Sequence, residues 1–173
     1  MHTLKDVQKI IKGLDMITGL NGSELELKQT KNVRTLASFT HRTVKWGGRV
    51  TRREPVRFEF STLVLSCDYK TLEEIVKHEY AHYMALVTFN ENCNHDWRFK
   101  QMCAQIGASA NEPSFSNKSI MSASAKLAKY TATCTSCGYI YTFSRKCSTL
   151  DACRVGAATC SCGSDKFAVK QNR

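Results

Sequence analysis

Two histidines and a glutamate lie within five consecutive residues, His78-Glu79-Tyr80-Ala81-His82. Residues four apart on an α-helix lie one turn apart on the same face, so both imidazoles can reach one metal ion. Glu79 lies about 100° round the helix from His78, which allows its carboxylate to act as general base on a metal-bound water. The spacing therefore predicts a zinc hydrolase site. The alternative is a pair of helical histidines that bond only carboxylates or water.

A catalytic zinc site needs a third protein ligand and a fourth position that stays open for water. His95 is the first candidate, because it follows His82 after a twelve-residue gap and stands just before another predicted helix that can fold back. Two carboxylates, Glu91 and Glu112, remain as alternative third ligands. The other histidines, His2 and His41, are assigned no catalytic part.

Six of the nine cysteines are crowded between Cys134 and Cys162. The segment Cys134-Thr-Ser-Cys137-Gly138 is a zinc-knuckle pattern, because a glycine after the second cysteine allows a tight turn whose N–H groups bond the thiolates. A structural zinc site needs four ligands, so the tail must supply a second pair.

Cys162-Gly163 has the form of the end of a second knuckle, which makes Cys162 the third ligand. Its partner in Cys160-Ser-Cys162 is one residue closer than in the usual Cys-x-x-Cys pair. The fourth ligand is therefore Cys160, with Cys147 and Cys153 as alternatives. A module this small cannot bury enough apolar surface to fold without its metal.

Three helices are predicted to position the first site. Apolar residues at spacings of three and four predict an amphipathic helix over 4–17, ended by Gly19. The helix that carries both histidines is predicted to open with a Thr71–Glu74 capping box and to run to about Phe89. A third is predicted over 96–106, with Gly107 as its C-terminal cap.

The segment between the first two helices has short runs of alternating apolar and polar residues over 25–65. This alternation predicts two or three strands, with a turn at Gly47-Gly48. The run from Phe58 to Leu65 directly precedes the histidine helix, and we expect it to pair with an extended substrate as sheet edges do.

We predict an α+β chain with a zincin-like domain over 1–110, built from the histidine helix and a small antiparallel sheet. A linker rich in Ser, Ala and Asn follows over 111–129, with local helix at 123–128. The C-terminal part, 130–173, is predicted as a β zinc ribbon with strands near 139–143 and 166–170.

The net charge of +10 is unevenly distributed along the chain. Residues 28–57 contain nine basic residues and one acidic residue, and the chain from 101 onward carries +6. Such asymmetry favours a nucleic-acid partner, although a basic stretch is also compatible with a solvated face. The predicted contact residues are Arg49, Arg52, Arg53, Arg145 and Lys146.

The cysteine content and the N-terminal residues favour the cytoplasm. Nine cysteines in a reducing compartment are most simply free thiols and metal ligands. Lysines interrupt the apolar positions of the first helix, whereas a secretory signal has a continuous apolar core. We therefore expect a cytoplasmic protein, associated with the nucleoid in a prokaryote, without a membrane partner.

The segments TLEEIVKHEYAHYMAL and NHDWRFKQMCAQIG, followed by a cysteine-rich tail, resemble the SprT-like metalloprotease domain, the group that includes the Spartan DNA–protein crosslink proteases. The resemblance implies zinc at His78, His82 and His95, with Glu79 as the base and a second, structural zinc in the tail. It also implies a protein substrate associated with DNA that is single-stranded or contains a junction. The alternative function is a non-enzymatic, zinc-dependent nucleic-acid-binding adaptor.

Overall fold

A computed structural model describes residues 1–32, 35–111 and 117–172 of the chain. The chain divides into two compact units, Met1–Ser114 and Phe115–Arg173, which we call the N-terminal unit and the C-terminal unit. In the described residues, no helix combines the length and the apolar character that a membrane span needs.

The described residues of the N-terminal unit form three α-helices and three strands. In chain order they are α1 (Leu4–Thr18), β1 (Glu26–Thr30), β2 (Ala37–Trp46), β3 (Arg49–Ser61), α2 (Tyr69–Phe89) and α3 (Trp97–Ile106). Single 3-10 turns at Gly22–Glu24 and Val64–Ser66 precede β1 and α2. The predicted first helix is confirmed, and Gly19 ends it in the left-handed conformation, with a φ of 71°.

The sheet of this unit has the order β1-β3-β2. The predicted strands and the turn at Gly47-Gly48 are confirmed, since β2 and β3 form an antiparallel hairpin through those glycines. The prediction of a purely antiparallel sheet is wrong, because β3 takes the place beside β1 and runs parallel to it.

The expected role of Phe58–Leu65 in pairing with substrate is also wrong. Residues 58–61 belong to the central strand, whose partners on the two sides are β1 and β2. Over these residues the backbone hydrogen bonds of β3 are already made on both sides, so the free edges of this part of the sheet are β1 and β2.

The core lies between the sheet and α2. Phe58 and Phe60 of β3 are fully buried, and the Phe58 ring stacks on Tyr80 of α2 with 6.5 Å between centroids. The Tyr80 hydroxyl donates to Asp15 Oδ1 at 2.7 Å and lies 2.8 Å from Thr18 Oγ1. These bonds fix how α2 is rotated against α1.

The start of α2 differs from the prediction, whereas its end near Phe89 is confirmed. The N-cap is Asp68, whose carboxylate accepts from the N–H of Thr71 at 2.9 Å and from its hydroxyl at 3.1 Å. The predicted Thr71–Glu74 capping box is therefore wrong by three residues. For α3 the predicted bounds are confirmed, with Asp96 as N-cap and Gly107 as C-cap.

In the part of the C-terminal unit that the structure describes there are two α-helices and a three-stranded antiparallel sheet of order β5-β4-β6. Its elements are α4 (Lys118–Leu127), β4 (Tyr130–Cys134), β5 (Ile140–Phe143), α5 (Ser148–Val155) and β6 (Phe167–Gln171). The strands predicted near 139–143 and 166–170 are confirmed. Within the range assigned to a linker, α4 buries Ile120 and Ala123.

The packing of α1 against α2 generates a paired prediction about Gly22 and Gly13. A Cβ on Gly22 would lie 2.7 Å from a ring carbon of Tyr80, whereas a Cβ on Gly13 would meet nothing within 4 Å. We expect Gly22→Ala to reduce the free energy of unfolding by about 1–3 kcal/mol through overpacking. Gly13→Ala, in the middle of α1, should raise it by about 0.5–1 kcal/mol.

Urea denaturation of both variants beside the parent checks these opposite signs. Equal changes in the free energy of unfolding of the two variants would show that a Cβ at Gly22 does not clash with the Tyr80 ring.

Candidate metal centres

Three imidazole rings converge in the N-terminal unit. His78 and His82 lie one turn apart on α2, and His95 lies in the turn before α3. The Nε2 atom of His95 is 3.1 Å from the Nε2 atom of His78 and 3.1 Å from that of His82. The three rings thus face one point.

A backbone carbonyl sets the tautomer of one of these rings. The Nδ1 atom of His78 lies 3.1 Å from the carbonyl oxygen of Ser109. Because a carbonyl can only accept, Nδ1 carries the proton and the Nε2 lone pair of His78 points at the cluster. Such an outer hydrogen bond is what orients metal-ligating histidines. No sequence signal could have identified Ser109, since a backbone acceptor can belong to any residue type.

An apolar wall surrounds the rings. The fully buried ring of Phe99 stacks on His82 at 4.2 Å between centroids and lies 5.1 Å from His78 and 4.8 Å from His95. Burial, with the neighbouring His78 and His95, lowers the pKa of His82 to about 3. His82 is therefore neutral at pH 7, as a metal ligand must be.

The loop that presents His95 is held by charged groups. Asp96 caps α3 and accepts two hydrogen bonds from the Arg98 guanidinium, at 3.0 and 2.8 Å. The same guanidinium contacts the carboxylate of Glu91 and lies 5.7 Å from the centre of the Phe89 ring. The hydrogen bonds from Arg98 and from the helix N–H groups hold the pKa of Asp96 below its usual range.

The alternative third ligands differ from His95 in position. Glu91 is paired with Arg98 and its side chain is 57 % exposed, so it is not part of the histidine cluster. Glu112 lies outside the described residues. His41 is on β2, where its ring stacks on Phe39 with 6.4 Å between centroids.

The histidine cluster fits a zinc ion. The three side chains converge on one point where their ring nitrogens can hold a cation, and imidazole is a nitrogen ligand that suits zinc. Nitrogen atoms about 2.05 Å from a tetrahedral zinc lie about 3.3 Å apart, close to the separations seen here. Among the described residues, the group comprises these three side chains, which leaves room for an open fourth position.

Glu79 follows His78 on α2 and is 8 % exposed. One residue beyond His78, its side chain leaves the helix about 100° away and therefore does not share the face of the two histidines. The hydroxyl of the neighbouring Tyr80 donates a hydrogen bond to Asp15, and burial raises the pKa of Tyr80 far above the usual range. Glu79 is thus a buried titratable residue on the helix that carries two of the converging histidines.

Four cysteines converge in the C-terminal unit: Cys134, Cys137, Cys160 and Cys162. The Sγ atoms of Cys134 and Cys162 are 3.6 Å apart, as are those of Cys137 and Cys160. Sulfur atoms about 2.3 Å from a tetrahedral zinc lie about 3.8 Å apart, so this set also fits zinc. The structure thus brings Cys160 into the group in spite of the short spacing.

Tight turns give these sulfurs their hydrogen bonds. Gly138 and Gly163 follow the two cysteine pairs with φ of 75° and 87°, a conformation that glycine adopts without strain. The backbone N–H of Cys162 and the hydroxyl of Tyr141 lower the pKa of the Cys160 thiol to about 6. A readily formed thiolate is the state that binds a metal.

Cys147 and Cys153, the alternative fourth ligands, lie outside the four-cysteine group. Cys153 is buried in the small core that Ala132 and Leu150 form, and Cys147 packs at its margin as the N-cap of α5. This helix was not predicted from the sequence. The pattern of Leu150 and Cys153, three residues apart, was the available signal, but it is too short to predict a helix.

The basic residues predicted to contact nucleic acid lie in two places. Arg49, Arg52 and Arg53 are on β3, in its hairpin with β2. Arg53 differs from the other two, because its guanidinium donates to the carbonyl of Asn90 at 2.8 Å. Arg145 and Lys146 are exposed in the bend after β5.

Comparison with known proteins gives one match. A model of the SprT-like family matches residues 16–122, a segment that contains all three converging histidines and Glu79 but ends before the cysteine cluster. Neither the curated proteins nor the solved structures include a significant match.

The cysteine geometry generates a prediction about Cys160. A serine hydroxyl is a poor zinc ligand beside thiolates, so Cys160→Ser should lower the zinc content by one ion per chain and make the C-terminal unit susceptible to protease. Cys147→Ser is the matched control and should keep both its zinc and its resistance. Elemental analysis after gel filtration measures the metal. Zinc loss in the Cys147 variant alone would move the fourth ligand to Cys147.

The histidine geometry generates a prediction about His95. His95→Ala removes one of three nitrogen ligands, and zinc titration against a chelator should show weaker binding at this site. His41→Ala, on β2 and outside the cluster, should bind zinc as the parent does. Full zinc occupancy and activity in the His95 variant would favour Glu91 or Glu112 as the third ligand.

Proposed function

The chain belongs to the SprT-like family, and on that premise we propose that its N-terminal unit is a zinc-dependent metallopeptidase. The family is generally one of zinc metalloprotease-like domains. The observation that carries the proposal is the convergence of the His78, His82 and His95 side chains, with the buried Glu79 following His78 on the same helix. A purely structural zinc site would have no use for this carboxylate and would normally close its fourth position with a side chain.

In this proposal the three histidines hold the ion and Glu79 moves the proton. A bound zinc ion supplies Lewis acidity, which polarises a peptide carbonyl and makes a water molecule easier to deprotonate. The Glu79 carboxylate accepts the proton of the attacking water and later delivers it to the nitrogen of the leaving amine. The hydrolysis thus needs no covalent intermediate on the protein.

The surrounding residues prepare the three imidazoles for this task. The Ser109 carbonyl keeps the proton of His78 on Nδ1, and the Phe99 ring excludes water from the far side of the cluster. In surroundings of low polarity the charges of the ion and the carboxylate interact more strongly than in water. The side chains therefore reach the reactive arrangement before substrate binds.

The C-terminal unit in this proposal is a zinc ribbon that Cys134, Cys137, Cys160 and Cys162 hold with a second zinc ion. Its buried core is small, with Ala132, Leu150 and Cys153 at the centre. A structural zinc ion contributes directly to the folding of such a module.

We further propose that the substrates are proteins associated with DNA, including DNA–protein crosslinks. The support is the resemblance to the Spartan group and the net charge of +10, with the excess in residues 28–57 and in the chain from 101 onward. A cationic surface collects polyanions and the proteins bound to them. A non-enzymatic adaptor would share this charge but would have no need for Glu79.

The proton-transfer role of Glu79 generates the central activity prediction. Glu79→Gln keeps the size of the side chain and all three histidines but removes the basic carboxylate. We expect zinc to stay bound and the cleavage rate of a DNA-bound protein to fall by about 10²- to 10⁴-fold, the usual contribution of a positioned general base. Cleavage is followed by gel electrophoresis, with and without DNA.

Glu74→Gln is the matched control, because Glu74 is an exposed glutamate on the same helix. It should cleave at the parent rate. If Glu79→Gln cleaves as fast as the Glu74 variant while holding its zinc, Glu79 is not the base. If the zinc-loaded parent does not cleave, with or without DNA, the adaptor function becomes the better account.

A further inference from the structure

The β2–β3 hairpin extends beyond the sheet to which it belongs. β1 pairs only with residues 57–61 of β3, whereas the hairpin continues through pairs from His41–Pro55 to Trp46–Arg49. Its outer part is therefore a two-stranded ribbon with the turn Gly47-Gly48 at the tip. The segment 41–54 carries five basic residues and one acidic residue.

A large aromatic side chain stands at this tip in solvent. Trp46 is 83 % exposed, and its cross-strand partner is Arg49. Residues directly opposite each other on paired strands share a face, so the indole and this guanidinium lie on the same side of the ribbon. Exposing a tryptophan in water is unfavourable, and tryptophan is among the residues enriched where proteins bind partners.

The same face carries further guanidinium groups. Trp46, Val44 and Arg42 are alternate residues of β2, so their side chains lie on the same side of the ribbon. Arg52 is the cross-strand partner of Val44, and Glu54 is the cross-strand partner of Arg42. Glu54 forms ion pairs with both Arg42 and Arg52, whose side chains are 72 % and 67 % exposed. One carboxylate thus aligns two arginines and neutralises one of their two charges.

The base of the ribbon is attached to the loop after α2. The backbone N–H of Arg53 donates to Asn90 Oδ1 at 2.7 Å, and its guanidinium donates to the Asn90 carbonyl. Arg53 therefore anchors the ribbon, and the residues left for a ligand are Trp46, Arg49, Arg42 and Arg52. Fixing the ribbon reduces the conformational entropy that binding would cost.

From this arrangement we propose that the hairpin face binds single-stranded nucleic acid, with an unpaired base stacked on the Trp46 indole and the phosphates along the arginines. An exposed aromatic ring beside cationic side chains is the combination that single strands require. The bases of a duplex are already stacked on each other and leave no face for the indole.

The dimensions favour a strand over a free nucleotide. The pairs from Trp46–Arg49 to Arg42–Glu54 span four residues of strand, about 13 Å, which corresponds to about four stacked nucleotides. A mononucleotide would reach only the tip. An acidic protein segment would satisfy the arginines but would gain nothing comparable from the indole.

This proposal deepens the nucleic-acid part of the proposed function and rests on that part alone. The test contains no cleavage readout, so it is independent of the role of Glu79. The full chain is titrated with a 12-nucleotide oligo-dT, with oligo-rU and dTMP as arms for RNA and for free nucleotide, and with poly-glutamate as an acidic competitor.

Trp46→Ala should weaken oligo-dT binding by about 5- to 150-fold, the range measured when an aromatic side chain that stacks a base is replaced by alanine. Trp46→Phe, which keeps a ring, should retain most of the affinity. The chain has two tryptophans, so Trp97→Phe leaves Trp46 as the single tryptophan, and its emission should be quenched at saturating oligonucleotide.

The proposed contacts between the arginines and the phosphates are tested with a separate pair of double variants. Arg49→Ala with Arg52→Ala should lower the magnitude of the log–log salt slope by about 0.7 for each phosphate that the protein no longer neutralises. Lys9→Ala with Lys12→Ala, on the exposed side of α1, changes the net charge equally and should leave the slope as it is.

Three results would overturn the proposal. Parent-like affinity in Trp46→Ala, together with an unquenched Trp46 signal, removes the hairpin site while nucleic-acid binding elsewhere stands. Displacement of oligo-dT by poly-glutamate at equal charge concentration makes the surface a general polyanion site. Absence of binding at low salt removes both this site and the nucleic-acid part of the proposed function.

Discussion

The convergence of three imidazole rings on one point is the constraint on which the N-terminal unit depends. The Nε2 atom of His95 lies 3.1 Å from those of His78 and His82, an arrangement that a cation held between the three rings would stabilise. Two of the rings come from α2, whose rotation is fixed by the hydrogen bonds from Tyr80 to α1. The third comes from a loop that Asp96 and Arg98 hold. The surrounding packing thus holds the three imidazole rings in position for a metal ion.

The C-terminal unit meets the same constraint with sulfur. Its four cysteines converge beside a small apolar core, at turns in which Gly138 and Gly163 adopt positive φ. Tyr141 links the apolar core to the cysteine cluster, because its ring packs on Phe167 while its hydroxyl donates to Cys160. In the N-terminal unit a metal is proposed for chemistry, and in this unit it is proposed for folding.

The sequence predicted what depends on periodicity and local spacing, and missed what depends on tertiary contact. The four-residue spacing of His78 and His82, the caps of α3 and the glycine turn of the hairpin are local features, and each appears in the structure. The parallel pairing of β1 with β3 and the acceptor Ser109 are fixed by distant parts of the chain. The start of α2 was misplaced because Asp68 and Thr71 both have side chains that cap helices, and only the folded backbone decides between them.

The most direct test is an anomalous-difference map at the zinc absorption edge from a crystal of the zinc-loaded full-length protein. The account predicts two peaks in each chain. One should lie about 2.0–2.1 Å from the Nε2 atoms of His78, His82 and His95, with no fourth side chain bound, and the other about 2.3 Å from four cysteine sulfurs. A missing first peak, or a first peak closed by a fourth protein ligand, would contradict the claim that the histidine cluster is a catalytic centre.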